Sequence, residues 1–90
     1  MRKLALTTGL LILAGATFAT TAAQAANPFF CNAYAQTAVW QEGQNLAKGC
    51  GFFGVRWSFN YSGHYTWCLA APMGAAISER NARKWQLWSC

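Results

Sequence analysis

Polar and apolar positions recur with helical spacing over residues 28–48. Asn27 can cap a helix that has Pro28 at its first position, and Gly49 suits the left-handed residue that ends one. At 100° per residue, one stripe gathers the positions predicted to face the core: Cys31, Ala35, Ala38, Val39, Glu42 and Leu46, with Tyr34 at its edge. The interior Gly43 costs about 1 kcal/mol and leaves this helix prediction standing.

A second helical pattern runs from Gly74 to Ser89, after Pro72. The residues in its inner sector are Ala76, Arg80, Arg83, Leu87 and Cys90. Glu79 lies four residues before Arg83, a spacing that favours an ion pair on the helix surface. Because the sector carries charge, we expect it to be only partly buried.

The middle segment, residues 51–70, fits two patterns. Alternation indicates a β-hairpin that turns at Ser62-Gly63, with apolar positions at Val55, Trp57, Phe59, Tyr61, Tyr65 and Trp67. Helical spacing instead joins Trp57, Tyr61, His64, Cys68 and Ala71. We predict a helix from about Trp57 to Leu69, since a lone hairpin is marginal. The expected fold is mainly α, a small disulfide-stapled antiparallel bundle of two to three helices, with the hairpin as the alternative.

The beginning of the chain has the three parts of a cleavable signal peptide. A basic start precedes an apolar stretch over Leu4–Ala19 and an A-x-A site at residues 23–25. The most apolar part is shorter than the ~20 residues that a membrane span needs. We predict cleavage after Ala25, so that residues 1–25 are removed. Export by the general secretory route then leaves one small disulfide-bonded domain, residues 26–90, in the periplasm or medium, with no further membrane span.

All four cysteines, at positions 31, 50, 68 and 90, fall in the mature part. An even count in a short exported chain predicts two disulfides. Zinc is not expected, because zinc-binding cysteines usually pair at C-x₂₋₄-C spacing. An intact first helix separates Cys31 from Cys50 too widely for a bridge, and the last helix does the same for Cys68 and Cys90. An up-down-up bundle favours 31–68 with 50–90, whereas a hairpin or loop in the middle favours 31–90 with 50–68.

The mature part carries five basic residues and two acidic ones, a net charge of +3. The charges are dispersed apart from Arg80, Arg83 and Lys84, and we expect no nucleic-acid partner. His64 is the single histidine and the chain has no aspartate, so a Ser-His-Asp triad cannot be written. Glu42 and Glu79 are expected in helix salt bridges. We therefore predict no enzyme, no catalytic or metal-ligating residue and no cofactor.

Spacing along almost the whole mature chain forms a recognisable signature. Its elements are Cys31-x-x-Tyr34-Ala35-x-x-Ala38-Val39, Asn45, Cys50-Gly51-x-x-Gly54-x-x-Trp57, His64-x-x-Trp67-Cys68 and Arg83-x-x-x-Leu87-x-x-Cys90. This signature resembles that of small exported bacterial proteins of unassigned function. The resemblance implies export, bacterial origin and paired cysteines, and it implies no activity.

Aromatic residues are the most function-like feature, because 13 of them (five Trp, three Tyr, five Phe) fall in the 65 mature residues. Trp40 and Trp85 each point about 180° away from their helix's inner stripe, whereas Trp57 and Trp67 are predicted to be buried. With Arg80 or Lys84 nearby, the outward pair could bind sugar rings, a partner protein or lipid headgroups. The predicted binding residues are therefore Trp40, Trp85, Arg80 and Lys84.

Three function classes follow from these features. The leading one is a non-enzymatic binding or structural module of the bacterial envelope or medium, whose unknown partner could be envelope carbohydrate or an exported protein. The alternative is a cationic membrane-active or antimicrobial protein. The third is a small hydrolase, which would depend on His64 or Glu42.

Overall fold

The structure, a computed structural model, describes residues 24–90. Three helices form it: α1 (Pro28–Lys48), α2 (Tyr61–Ala70) and α3 (Met73–Ser89). They run up, down and up, with α1 packed against both of the others. The hairpin alternative is wrong, since the only β-pairing in this part of the chain is an isolated bridge between Ala25 and Pro72. The predicted signal peptide lies outside the described residues apart from its last two.

Helix α1 begins and ends where its local sequence predicts. The Asn27 side chain accepts a hydrogen bond from the Phe30 amide at 2.8 Å, and Pro28 occupies the first turn. Gly49 adopts the left-handed conformation (φ 68°), in which its amide donates to carbonyls of the last turn. The inner stripe needs one correction, because Leu46 is 61% exposed and the neighbouring Asn45 is buried instead.

Helix α2 starts at Tyr61, four residues later than predicted, and Trp57 lies in the loop before it. The buried Asn45 side chain explains the difference. It donates to the Phe52 carbonyl at 2.7 Å and accepts from the Phe52 amide at 3.1 Å, which fixes the loop on α1. Phe52 then stacks on Trp57 with ring centroids 4.7 Å apart. Asn60 caps α2 by accepting from the Gly63 amide at 3.0 Å.

The segment before α1 makes backbone hydrogen bonds with the turn between α2 and α3. The Met73 amide donates to the Gln24 carbonyl at 3.0 Å, and the Ala26 amide donates to the Ala71 carbonyl at 3.2 Å. These bonds satisfy backbone groups at the α2–α3 turn, where no side chain caps α3. Ala26, the predicted first residue of the mature chain, is buried there.

Two disulfides join the ends of the bundle, with the connectivity that the up-down-up arrangement favours. Cys31 pairs with Cys68 (Cα–Cα 5.6 Å) and Cys50 pairs with Cys90 (5.7 Å). No cysteine is left free in residues 24–90. The prediction that no bridge joins Cys31 to Cys50 is confirmed, because α1 holds them at opposite ends.

The apolar core is small and lies around the first disulfide. Its buried members are Ala26, Cys31, Tyr34, Cys68 and Ala76, bordered by Phe30, Tyr65, Leu69 and Met73. A core of this size gives limited stabilisation, so the two bridges carry much of the stability of the fold.

Polar side chains between the two disulfides are joined by hydrogen bonds, and one of them, Arg83, is almost fully buried. We call the set Gln41, Arg56, Glu79 and Arg83 the Arg83 network. Arg83 is 1% exposed, and its Nε donates to Gln41 Oε1 at 2.6 Å while Nη1 donates to Glu79 Oε2 at 3.2 Å. Arg56 binds both Glu79 oxygens, at 2.5 and 3.0 Å. The predicted Glu79–Arg83 ion pair is thus present.

None of the three helices is long and apolar enough to cross a membrane.

Candidate binding groove

Trp40 on α1 and Trp85 on α3 are exposed, as their angular positions predict. Their exposed fractions are 62% and 59%. On α3, Arg83 and Leu87 face the interior, so Trp85, between them, and the residue after Leu87 face solvent. The same geometry exposes Trp88, whose exposed fraction is 78%. Three indoles therefore project from two adjacent parallel helices.

These indoles border a cleft of about 230 Å³ between α1 and α3, which we call the tryptophan groove. It is lined by Trp40, Gln41, Gln44, Lys48, Lys84, Trp85, Leu87 and Trp88. Its lining residues include two lysines and no acidic residue. The groove therefore combines flat apolar rings with positive charge.

Contacts within α3 fix the relative placement of its aromatic and basic side chains. Trp85 and Trp88 meet edge to face, with centroids 6.1 Å apart and planes at 83°. The Lys84 ammonium lies 5.4 Å from the Trp85 ring centroid, a cation–π contact. An edge-to-face pair leaves ring faces available to a ligand.

Polar groups at the base of the groove tie the two helices together. Lys48 Nζ donates to the Leu87 carbonyl in the last turn of α3, where positive charge also suits the helix dipole. Gln41 Nε2 donates to the Arg80 carbonyl at 3.3 Å. Gln44, half-buried beside them, adds an amide that can donate to and accept from a ligand.

The structure brings together three of the four predicted binding residues. Trp40, Lys84 and Trp85 line the groove, whereas the Arg80 guanidinium lies 5.9 Å from the Phe30 ring centroid and is not part of the lining. Sequence reasoning missed Trp88 and Lys48. The position of Trp88, three residues after Trp85 and four after Lys84, was the available signal.

Of the two tryptophans predicted to be buried, one is buried and the other is not. Trp57 is buried, with 6% of its surface exposed, which confirms the prediction. Trp67 is 45% exposed, so its predicted burial is wrong. Cys68 takes the position facing α1, and Trp67, one residue before it, lies at the edge with its ring 5.7 Å from that of Tyr34.

The residues considered for catalysis have structural partners. His64 is buried, and its Nε2 lies 2.9 Å from the Ser58 carbonyl oxygen, so Nε2 carries the proton and donates. Both Glu79 oxygens accept from arginines. Glu42 accepts from Asn45 Nδ2 at 2.9 Å, a hydrogen bond and not the predicted salt bridge. Over residues 24–90, no cluster of three or more potential metal ligands is present.

Comparison with known proteins adds no relative. No protein-family model, no curated protein and no solved structure matches this chain. The groove and the chemistry of its lining are therefore the features from which function can be inferred.

Proposed function

We propose that this protein is an exported, non-enzymatic binding module, and that its tryptophan groove binds acidic carbohydrate of the bacterial envelope. The observation that carries the proposal is the lining of the groove, three exposed indoles and two ammonium groups without a carboxylate. Two disulfides in a small chain support export, because such bridges persist in oxidising compartments.

The aromatic part of the lining favours ring-shaped ligands. An indole face offers a flat apolar surface, and the C–H face of a sugar ring is apolar and of similar size. Trp40 on α1 and Trp85 on α3 both line the cleft, so each offers an indole to a sugar ring bound there. The amide of Gln44 can bond to the hydroxyl groups at the ring's edge.

The charged part of the lining favours an acidic ligand. Lys48 and Lys84 supply positive charge, and the groove has no carboxylate to offset it. A uronic acid chain combines pyranose rings with regularly placed carboxylates and therefore matches both features.

Isothermal titration of the oxidised protein with oligogalacturonate tests the proposal, with the methyl-esterified oligomer as the uncharged control. We expect the acidic oligomer to bind more tightly and its affinity to fall with added salt. Trp40→Ala and Trp85→Ala should each weaken binding about tenfold. Phe53→Ala is the matched control, since Phe53 is 89% exposed and lies outside the groove. Equal binding of the two oligomers would contradict the proposal.

The membrane-active alternative draws on the same side chains, since tryptophan and lysine are also enriched at lipid interfaces. Leakage from phosphatidylglycerol vesicles separates the two functions. A carbohydrate-binding module leaves such vesicles intact, whereas leakage that disappears in Trp88→Ala would favour the membrane function. We do not favour the hydrolase, because Glu42, Glu79 and His64 each make hydrogen bonds with partners within the fold.

A further inference from the structure

A second cavity, of about 290 Å³, shares no lining residue with the tryptophan groove. It lies among α1, α2, α3 and the loop before α2, and is lined by Tyr34, Val55, Arg56, Gly63, His64, Trp67, Glu79 and Arg83. Its volume is close to the lower end of the range for small-molecule sites, about 300–1,000 Å³. It therefore has room for a small ring compound.

The charges that line this cavity do not balance. Arg56 and Arg83 contribute two positive charges, and Glu79 contributes one negative charge. Both Glu79 oxygens already accept hydrogen bonds from the two guanidinium groups. Among its arginines and its glutamate, the lining therefore keeps one positive charge without a counter-ion.

One donor of the buried guanidinium is also left over. Arg83 Nη2 is shielded from solvent and has no hydrogen-bond partner in the structure. A buried charged donor without a partner is costly, and an anion placed nearby lowers that cost. Arg56 is the accessible cation, since 41% of its side chain is exposed. An incoming anion therefore meets Arg56 first, with the charge of Arg83 behind it.

Tyr34 adds a hydroxyl beside these charges. Its ring centroid lies 5.1 Å from the Arg83 guanidinium carbon. Burial raises the pKa of the Tyr34 hydroxyl, and this effect outweighs the nearby Arg83, which lowers it. The hydroxyl therefore stays protonated at neutral pH and can donate a hydrogen bond to an anion.

The outer wall of the cavity is apolar. Trp67 is 45% exposed, and its ring packs against Tyr34 with centroids 5.7 Å apart. Val55, on the loop before α2, is 93% exposed and borders the same cavity. A half-exposed indole beside a cationic interior offers a face on which an aromatic ligand can stack.

We propose that this cavity binds a small aromatic carboxylate, with the carboxylate towards Arg56 and Arg83 and the ring against Trp67. The carboxylate supplies the missing counter-charge, and it can accept hydrogen bonds from the Arg56 N–H groups that Glu79 does not occupy. A neutral ring gains only the stacking contact. The site is independent of the tryptophan groove, so either proposal can fail without the other.

Isothermal titration of the oxidised protein with benzoate and with benzamide, at constant ionic strength, tests this site. Benzoate should bind about tenfold more tightly than the uncharged benzamide of similar shape. Arg56→Gln should weaken benzoate binding about tenfold while benzamide is unaffected. Arg80→Gln is the matched control, because it removes a guanidinium that does not line the cavity.

Two further variants locate the ligand. Trp67→Ala should weaken both compounds, and Trp85→Ala in the groove should weaken neither. Circular dichroism will check that each variant is folded. We expect the Arg56 and Trp67 variants to fold, because both side chains are well exposed. The proposal is overturned if benzoate does not bind at millimolar concentration, if benzamide binds equally well, or if Arg80→Gln weakens benzoate as much as Arg56→Gln.

Discussion

The tryptophan groove lies along α1 and α3, which also carry every member of the Arg83 network except Arg56, yet each region contradicts the usual placement of its side chains. Along the groove, Trp40, Trp85 and Trp88 are exposed. In the network, Arg83 is almost fully buried and bonded to Gln41 and Glu79. Hydrogen bonds and ion pairs thus link α1, α3 and the loop before α2, while these three indoles remain on the surface. This arrangement gives Arg83 a structural role within the bundle and leaves the groove available for binding.

Loss of the disulfides has the largest expected effect on both regions. Each bridge spans about 40 residues (separations 37 and 40), for which loop-closure entropy gives about 4 kcal/mol when each is taken alone. Reduction of both should unfold the protein, a loss that circular dichroism with added dithiothreitol will show. A reduced protein that keeps its helical signal and its melting transition would contradict this prediction.

The two bridges should also affect the two regions differently. Cys50→Ala with Cys90→Ala frees the end of α3 that carries Trp88, so we expect weaker oligogalacturonate binding even where the chain stays folded. Cys31→Ala with Cys68→Ala removes buried sulfurs from the apolar core and should lower stability more, as urea unfolding can measure.

Arg83→Ala tests the structural role of the network. Removal of one partner from a buried ion pair typically costs 3–5 kcal/mol, and here it also leaves Gln41 Oε1 without its donor. We expect a loss of about 3–5 kcal/mol in urea unfolding. Arg80→Ala serves as the control, because Arg80 contacts Phe30 from a partly exposed position and should change stability by about 1 kcal/mol or less. Equal losses in the two variants would refute the distinction.

Tyr34 gives the network a dependence on alkaline pH. Because the pKa of Tyr34 is raised in the folded protein, the native state retains its proton while the unfolded chain loses it. Stability is thus unaffected below about pH 10 and falls above it, until the pH passes the folded pKa. Wild type should lose stability more steeply than Tyr34→Phe between pH 9 and 11.5 in urea unfolding. Parallel pH profiles would show that burial of the hydroxyl has no energetic consequence.

Tryptophan substitutions should have the smallest effect where they fall on the groove. Trp40→Ala and Trp85→Ala should each cost about 1 kcal/mol or less, because most of each side chain is exposed. Trp57→Ala, at a buried position, should cost about 3–5 kcal/mol. Thermal unfolding of the three variants measures the contrast. If Trp40→Ala or Trp85→Ala destabilises the protein as much as Trp57→Ala, these indoles are part of the core, and the groove loses its role as a free surface.

Local sequence determined the first helix and the outward direction of two tryptophans. Asn27, Pro28 and Gly49 fix the ends of α1 through bonds within a few residues of each end, so no distant contact is needed to predict them. The 100° rotation per residue likewise places Trp40 and Trp85 opposite the buried face. Both kinds of signal depend on neighbours along the chain.

Tertiary structure decided what depends on distant residues. The direction of α2 decides between the two disulfide connectivities. The first residue of α2 depends on the hydrogen bonds between the Asn45 side chain and the Phe52 backbone. Arg83 is buried because Gln41, on another helix, accepts its hydrogen bond. With Arg83 facing inward, Trp88 lies in the groove and Arg80 lies against Phe30. The physical reason is that buried polar groups take whichever partner the packing supplies, and periodicity along one chain segment carries no information about that partner.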